Sequence, residues 1–244
     1  MSADRPTVVV QEPVGGWKRP WPQAFEMAHA LPEGSWTLVG GLMVQLHAIA
    51  AGVPLTRPTT DVDAALHLET GVITFVDAAA RLRAIDYLPD ESQQHAYRFT
   101  RGQDVVDMMV ADRLAPAHRP RYGGREVFRI AGGTQALRRT VDAAVRVGGK
   151  TIVMSVPNLH GALVLKGAAF LGDARDRHRH VAVAITLLAC LEGVDGILGS
   201  LAGSDAKRLR ALTRALDAPD PWADAHRDTE ALARPMHEQL GAAL

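Results

Sequence analysis

Between Ser35 and Asp63 a short apolar strand, Ser35–Val39, runs directly into Gly40-Gly41. The segment LMVQLHAIAA that follows has helical spacing, and a further strand, Asp61–His67, opens on two carboxylates one residue apart. A strand, paired glycines and a helix in that order bring backbone N–H groups and the positive end of a helix against an anion. Residues i and i+2 of a strand share a face, so Asp61 and Asp63 point the same way, about 7 Å apart at the backbone. Two carboxylates held side by side repel unless a cation bridges them or one takes up a proton. Ligation of Mg²⁺ resolves the conflict, because that ion prefers a few carboxylates together with substrate phosphates.

A third acid on a neighbouring strand would complete a metal site for phosphoryl or nucleotidyl transfer. Two extended segments, Ala96–Thr100 and Gln103–Val110, joined at Arg101-Gly102, read as an antiparallel hairpin. The second carries Asp107 between apolar neighbours, where a carboxylate is buried and needs a partner. Asp104 lies off the parity of Asp107 and reads as an edge or turn residue. Lys166 sits on an apolar helical face made by Ala162, Leu163, Ala169 and Phe170. A lysine there either snorkels to the edge or meets an anion. Arg57, four residues before Asp61 in a loop with Pro54 and Pro58, is placed to pair with a carboxylate or a phosphate.

The rest of the chain divides in two. Residues 1–20, with Pro6, Pro13, Gly15, Gly16 and Pro20, read as a loose arm. Residues 21–155 read as an α+β domain, with helices near Trp21–Ala30, Thr70–Ile85 and Thr134–Arg139, and further strands at Val127–Ile130 and Thr151–Met154. After Pro157 strand signals vanish, and 158–171, 176–192, 205–216 and much of 222–240 have helical spacing, so 156–244 reads as an all-helical domain. The fold class expected is therefore α+β, a small mixed sheet flanked by helices and followed by a helical C-terminal half.

Composition narrows the chemistry. With 27 Lys+Arg against 27 Asp+Glu the net charge is zero, which argues against nucleic-acid binding by bulk charge. The lone Cys190 excludes a disulfide framework and a cysteine-rich zinc site, and the apolar run around it makes it a poor nucleophile. Neither a Gly-x-Ser-x-Gly nor a P-loop pattern occurs. His47, His95, His118 and His160 have no metal-ligand spacing, and Gly132-Gly133 reads as a turn. The longest apolar run, Val181–Leu191, has 11 residues, short of the roughly 20 that span a bilayer. With no leader-like start, the chain reads as soluble and cytoplasmic, with no membrane partner.

Val39-Gly40-Gly41, Thr60-Asp61-Val62-Asp63 and a later strand acid such as Asp107 resemble the pattern of the DNA-polymerase-β-type nucleotidyltransferases. Leu38-Val-Gly-Gly41 leading into a helix, Arg57-Pro-Thr-Thr-Asp-Val-Asp63 and Leu163-Val-Leu-Lys166 resemble, within that superfamily, the AbiEii-like nucleotidyltransferases, which include toxins of toxin–antitoxin pairs. The likeness spans about residues 35–190. It implies that Gly40, Gly41, Arg57 and Lys166 bind the nucleotide. It also implies that Asp61, Asp63 and Asp107 hold Mg²⁺ and that Asp107 helps activate the acceptor hydroxyl. The reaction implied moves NMP from an NTP to a hydroxyl, in some such toxins the 3′ end of tRNA, with a cognate antitoxin as partner.

One departure stands out. The family often carries a further acid in the helix after Lys166; here Val183 or Ala182 stands in its place, and neither Asp173 nor Asp176 lies in the expected register. The basic cluster Arg175, Arg177, His178, Arg179 and His180 suits a triphosphate, an RNA backbone or a solvated first turn equally well. Two other readings stay open: a nucleotide-binding regulatory or interaction protein that has lost turnover, and a small-molecule nucleotidyltransferase of the aminoglycoside-modifying kind.

Overall fold

The computed structural model describes residues 5–55, 58–115, 119–174 and 176–244. Its main sheet is mixed. Strand β2 (Trp36–Leu38) pairs antiparallel with β3 (Asp61–Leu66), which lies parallel to β6 (Asp104–Ala111). The sheet continues antiparallel through β5 (Arg98–Arg101) to β4 (Leu88–Pro89). A parallel pair cannot be joined by a tight turn. Here α3 (Phe75–Arg83) and the two strands β4 and β5 make up the connection from β3 to β6. Thr74 and Asp77 close a capping box at the start of α3, so the helix expected from residue 70 begins at Phe75, after a 3-10 turn at Leu68–Thr70.

Past β6, β7 (Arg121–Tyr122) and β8 (Arg125–Glu126) form a small hairpin. The strand expected at Val127–Ile130 shortens to β9 (Arg129–Ile130), parallel to the end of β6. The short helix expected nearby is α4 (Gly133–Leu137).

A second sheet corrects the reading of the N-terminus. Strand β10 (Thr140–Val147) pairs antiparallel with β11 (Lys150–Pro157), and β1 (Thr7–Val10) adds to β10 in parallel. The segment expected to be a loose arm is thus a sheet strand. Arg5 anchors it further, with an ion pair to Asp142 and a hydrogen bond to the Ser155 hydroxyl. The Trp17 indole donates to the Arg146 carbonyl and packs with Trp21 and Phe25 of α1 (Trp21–Ala30). The proline and glycine content that suggested looseness sits mainly in the 11–20 turn. Strand β10 was not among the expected strands, although Val141, Ala143 and Val145 recur with period 2 and are buried.

The remaining helices are α5 (Leu159–Gly172), α6 (Arg177–Ala189), α7 (Asp195–Leu198), α8 (Asp205–Leu216) and α9 (Arg227–Ala243). None of the described helices is long and apolar enough to cross a membrane. Helix α2 (Gly40–Ala51) serves two hydrophobic cores, with Leu42 and Leu46 in the one beneath the sheets. Its Met43, Val44 and Ala48 belong to the second core, to which α5, α6, α8 and α9 also contribute. A helix apolar on all sides is one that is covered on all sides. The His47 ring, bonded to the Pro157 carbonyl at 2.8 Å, pins α2 to the end of β11 where α5 begins. Burial holds the His47 pKa below the usual histidine value, which suits this structural role.

Helix α5 crosses α8 closely because Gly167 lacks a side chain: a Cβ there would lie 2.5 Å from the Arg208 carbonyl oxygen. Gly167→Ala therefore forces backbone apart rather than moving a flexible side chain. Overpacking of this kind costs about 1–3 kcal/mol. The melting temperature is expected to fall by roughly 3–10 °C in a thermal denaturation series, given the usual response of a chain this long.

Candidate functional site

The parallel pairing of β3 with β6 sets Asp63 directly beside Asp107, with Asp61 one pleat earlier on the same face. Carboxylate oxygens of Asp61, Asp63 and Asp107 all lie within 4.8 Å of one another. On the next strand the hairpin register places Arg98 opposite Asp107. Its guanidinium grips both carboxylate oxygens, Nε to Oδ1 at 2.9 Å and Nη2 to Oδ2 at 2.7 Å. This bidentate form is the strongest geometry for an arginine–carboxylate pair.

The glycine pair has a steric reason. Gly40 has φ +66°, and a Cβ there would fall 1.7 Å from Asp63 Oδ2. A Cβ on Gly41 would fall 2.5 Å from the Thr59 hydroxyl, which itself donates to Asp61 Oδ1 at 2.9 Å. The start of α2 thus closes onto β3, the Val39 N–H donating to the Asp63 carbonyl and the Gly41 N–H to the Asp63 carboxylate. A helix N-terminus stabilises negative charge placed there. Both glycines line the cavity, but the Gly41 N–H is already directed at a carboxylate.

Lys166 reaches in from α5, its Nζ 3.5 Å from the Gly40 carbonyl oxygen. It therefore meets the anionic cluster instead of snorkelling outward. Burial lowers its pKa, while Asp63 and Asp61 favour its charged form. The Asp63 carboxyl is pushed up to about 7, first by burial and then by Asp61 and Asp107. Lys166 and the Gly41 N–H act in the opposite direction. Burial also raises Asp107, against the pull of Arg98. A set of carboxylate oxygens under this mutual repulsion fits a hard cation such as Mg²⁺ or Mn²⁺.

These groups open into a cavity of about 500 Å³. Its far wall is helical: Lys166 and Ala169 of α5, then Asp173, Asp176, Arg179, His180 and Val183 around and along α6. The structure thus gathers Asp61, Asp63, Asp107, Gly40, Gly41 and Lys166 at one place. Arg57 lies outside the described residues, as do His118 and Arg175. Val183 does line the cavity, an apolar group on that wall.

Several members escaped the sequence reading. Arg98 was recoverable, because pairing Arg101 with Asp104 across the hairpin turn carries Arg98 to Asp107. His180, named in the basic cluster, and Asp173, named as an acid out of register, had no local signal for facing each other, since only the packing of α5 and α6 brings them to the cavity wall. Asp104, read as an edge residue, is instead buried, accepting from Gln23 and ion-paired to Arg19 and Arg101. Gly132 is the turn before α4, its N–H donated to Asp112.

No protein-family model and no curated protein matches the chain. Solved structures do align with it. One is an antigenic nucleotidyltransferase-like protein from Paracoccidioides brasiliensis, at 17% identity and a TM-score of 0.48, over 78% of this chain and 83% of that one. A solution structure of the antibiotic-resistance factor ANT(2'')-Ia aligns at 12% identity and a TM-score of 0.40, over 91% of this chain and 92% of that one. A crystal structure of ANT(2'')-Ia in complex with adenylyl-2''-tobramycin aligns at 11% identity and a TM-score of 0.38, over 89% and 97%. Likeness at this level assigns no activity to this chain.

The raised Asp63 pKa has a sign that melting experiments read. Between the ordinary carboxylate range and pH about 7 the folded chain holds a proton that the unfolded chain releases. Stability without metal therefore falls as pH rises through that window, by an amount on the order of a few kcal/mol. In EDTA, Asp63→Asn is expected to melt above the wild type at pH 8 and close to it at pH 5. Added Mg²⁺ is expected to raise the wild-type melting temperature at pH 8 and leave that of Asp63→Asn unmoved.

Proposed function

We propose that the chain is an Mg²⁺-dependent nucleotidyltransferase that moves NMP from an NTP to a hydroxyl acceptor and releases pyrophosphate. One observation carries the reading: carboxylates of Asp61, Asp63 and Asp107 converge on adjacent strands, with Lys166 close by, in a cavity large enough for a nucleotide. Nucleotidyl transfer needs charge neutralisation and alignment at the α-phosphate and no protein nucleophile, and this cavity is furnished accordingly.

In this reading Asp61, Asp63 and Asp107 hold the cation, which when bound supplies charge neutralisation at the transferring phosphate. Arg98 favours the ionised form of Asp107 against burial and fixes its rotation. Lys166 offers a positive charge to the triphosphate from the opposite wall. Gly40 and Gly41 let the backbone at the start of α2 approach the phosphates, beside Asp63, in the favourable field of the helix end.

The acceptor taken first is the 3′ end of tRNA, on the resemblance to AbiEii-like proteins. A toxin-like role and a cognate antitoxin rest on that resemblance and on no residue of the site. The apolar Val183 on the helical wall of the cavity favours the second reading, a nucleotide-binding protein without turnover.

Incubation with Mg²⁺, each labelled NTP in turn and total tRNA separates the two. Label is expected on tRNA, with Asp63→Ala reducing the rate about 10²-fold or more and Lys166→Ala raising the KM for NTP. Mg²⁺-dependent NTP binding with no transfer to any hydroxyl would replace the transferase with the binding protein.

A further inference from the structure

The carboxylate cluster leaves one chemical need unmet. An acceptor hydroxyl that attacks a phosphate must lose its proton, and the three clustered carboxylates are committed elsewhere. Both oxygens of Asp107 accept from Arg98, Asp61 accepts from Thr59, and Asp63 accepts from Gly41. Lys166 and Arg179 are cations, and burial raises the Tyr97 phenol above its ordinary range, so it keeps its proton. Asp176 is exposed at the mouth of the cavity.

His180 is different. It lines the same cavity from the first turns of α6, and its side chain is 15% exposed. Its Nε2 is buried, has no hydrogen bond among the described residues, and lies 3.6 Å from Asp173 Oδ2. Asp173 is itself held, at the end of α5, by the Asp176 N–H donating to its Oδ1 at 3.3 Å. With Nε2 lying 3.6 Å from a carboxylate oxygen, the negative charge favours the tautomer that carries Nε2–H toward Asp173, which leaves Nδ1 as the proton acceptor.

Resting on the function proposed above, the geometry points to His180 as the general base for the acceptor hydroxyl, with Asp173 as its positioning residue. The acceptor oxygen bonds to the α-phosphorus and the bond from that phosphorus to the pyrophosphate oxygen breaks. Pyrophosphate leaves with the electron pair, and the hydroxyl proton passes to His180 Nδ1 and then to solvent. The charged groups around the ring are Lys166 on α5, Asp173 after it and Arg179 on α6. Burial first, and then Lys166, lower the His180 pKa, so the ring is neutral and ready to accept at neutral pH, while Asp173 favours the protonated form once the proton arrives.

The test is the pH–rate profile of NMP transfer to tRNA at saturating Mg²⁺ and NTP, for wild type, His180→Gln and Asp173→Asn. Wild-type kcat is expected to rise with pH along an acidic limb whose midpoint matches the His180 ring titration followed by NMR. His180→Gln is expected to lose that limb and about 10²-fold or more in kcat, with NTP affinity within about twofold of wild type. Asp173→Asn removes the group that favours the imidazolium, so its limb is expected to move to lower pH, with kcat reduced and KM unchanged. A limb and kcat that persist in His180→Gln would overturn the assignment while leaving the transferase intact. A wild type that binds NTP but transfers NMP to no hydroxyl would overturn the transferase and the base together. Circular dichroism of the two variants shows whether a loss reflects folding.

Discussion

Like charge held at close range governs this molecule. The carboxylates of Asp61, Asp63 and Asp107 lie within 4.8 Å of one another on two parallel strands, and each neighbouring element answers that repulsion. Arg98 comes from the next strand and clamps Asp107. Lys166 comes from a helix more than a hundred residues away in sequence and faces Asp63. The N-terminus of α2 closes over Asp63 so tightly that no side chain fits at Gly40. What remains uncompensated is visible in the Asp63 carboxyl, pushed up to about 7. A cation bound there would relieve repulsion of this kind, and on that ground the cluster is the candidate site.

The architecture holds the two walls of the cavity at a set spacing. Helix α2 contributes Leu42 and Leu46 to the core under the sheets and Met43, Val44 and Ala48 to the core among the helices. Any tilt of α5 against the sheet would have to drag α2 with it, and His47 ties α2 to the end of β11 as well. On the far side Gly167 lets α5 lie against the α8 backbone. The buried Asp205 joins α8 to Arg139 at 2.8 Å, completing the frame behind the helical wall. The carboxylates and the wall that carries Lys166 and His180 are therefore positioned by packing shared across the whole chain.

Local pattern carried most of the elements. The strand–glycine–helix start, the Asp61/Asp63 face, the hairpin at Arg101-Gly102 and the helical tail were legible because each is written in contiguous residues with period 2 or 3.6. The N-terminal strand was misread for an equally local reason. Thr7–Val10 is short and flanked by proline and glycine, and its partner β10 lies more than a hundred residues ahead. Arg98 was within reach of the hairpin register, whereas His180 and Asp173 were not, since nothing near them in sequence tells which face of α6 meets a cavity.

By itself, then, the sequence determined that two carboxylates share a strand face, that a glycine pair precedes a helix beside them, and that the chain ends in helices. These follow from backbone geometry acting over a few residues. Only the tertiary structure decided that Asp63 lies beside Asp107, that Lys166 points inward, and that His180 and Asp173 stand on the opposite wall. Those relations depend on which strands pair in parallel and on how α5 and α6 pack, contacts between distant segments that no local periodicity encodes.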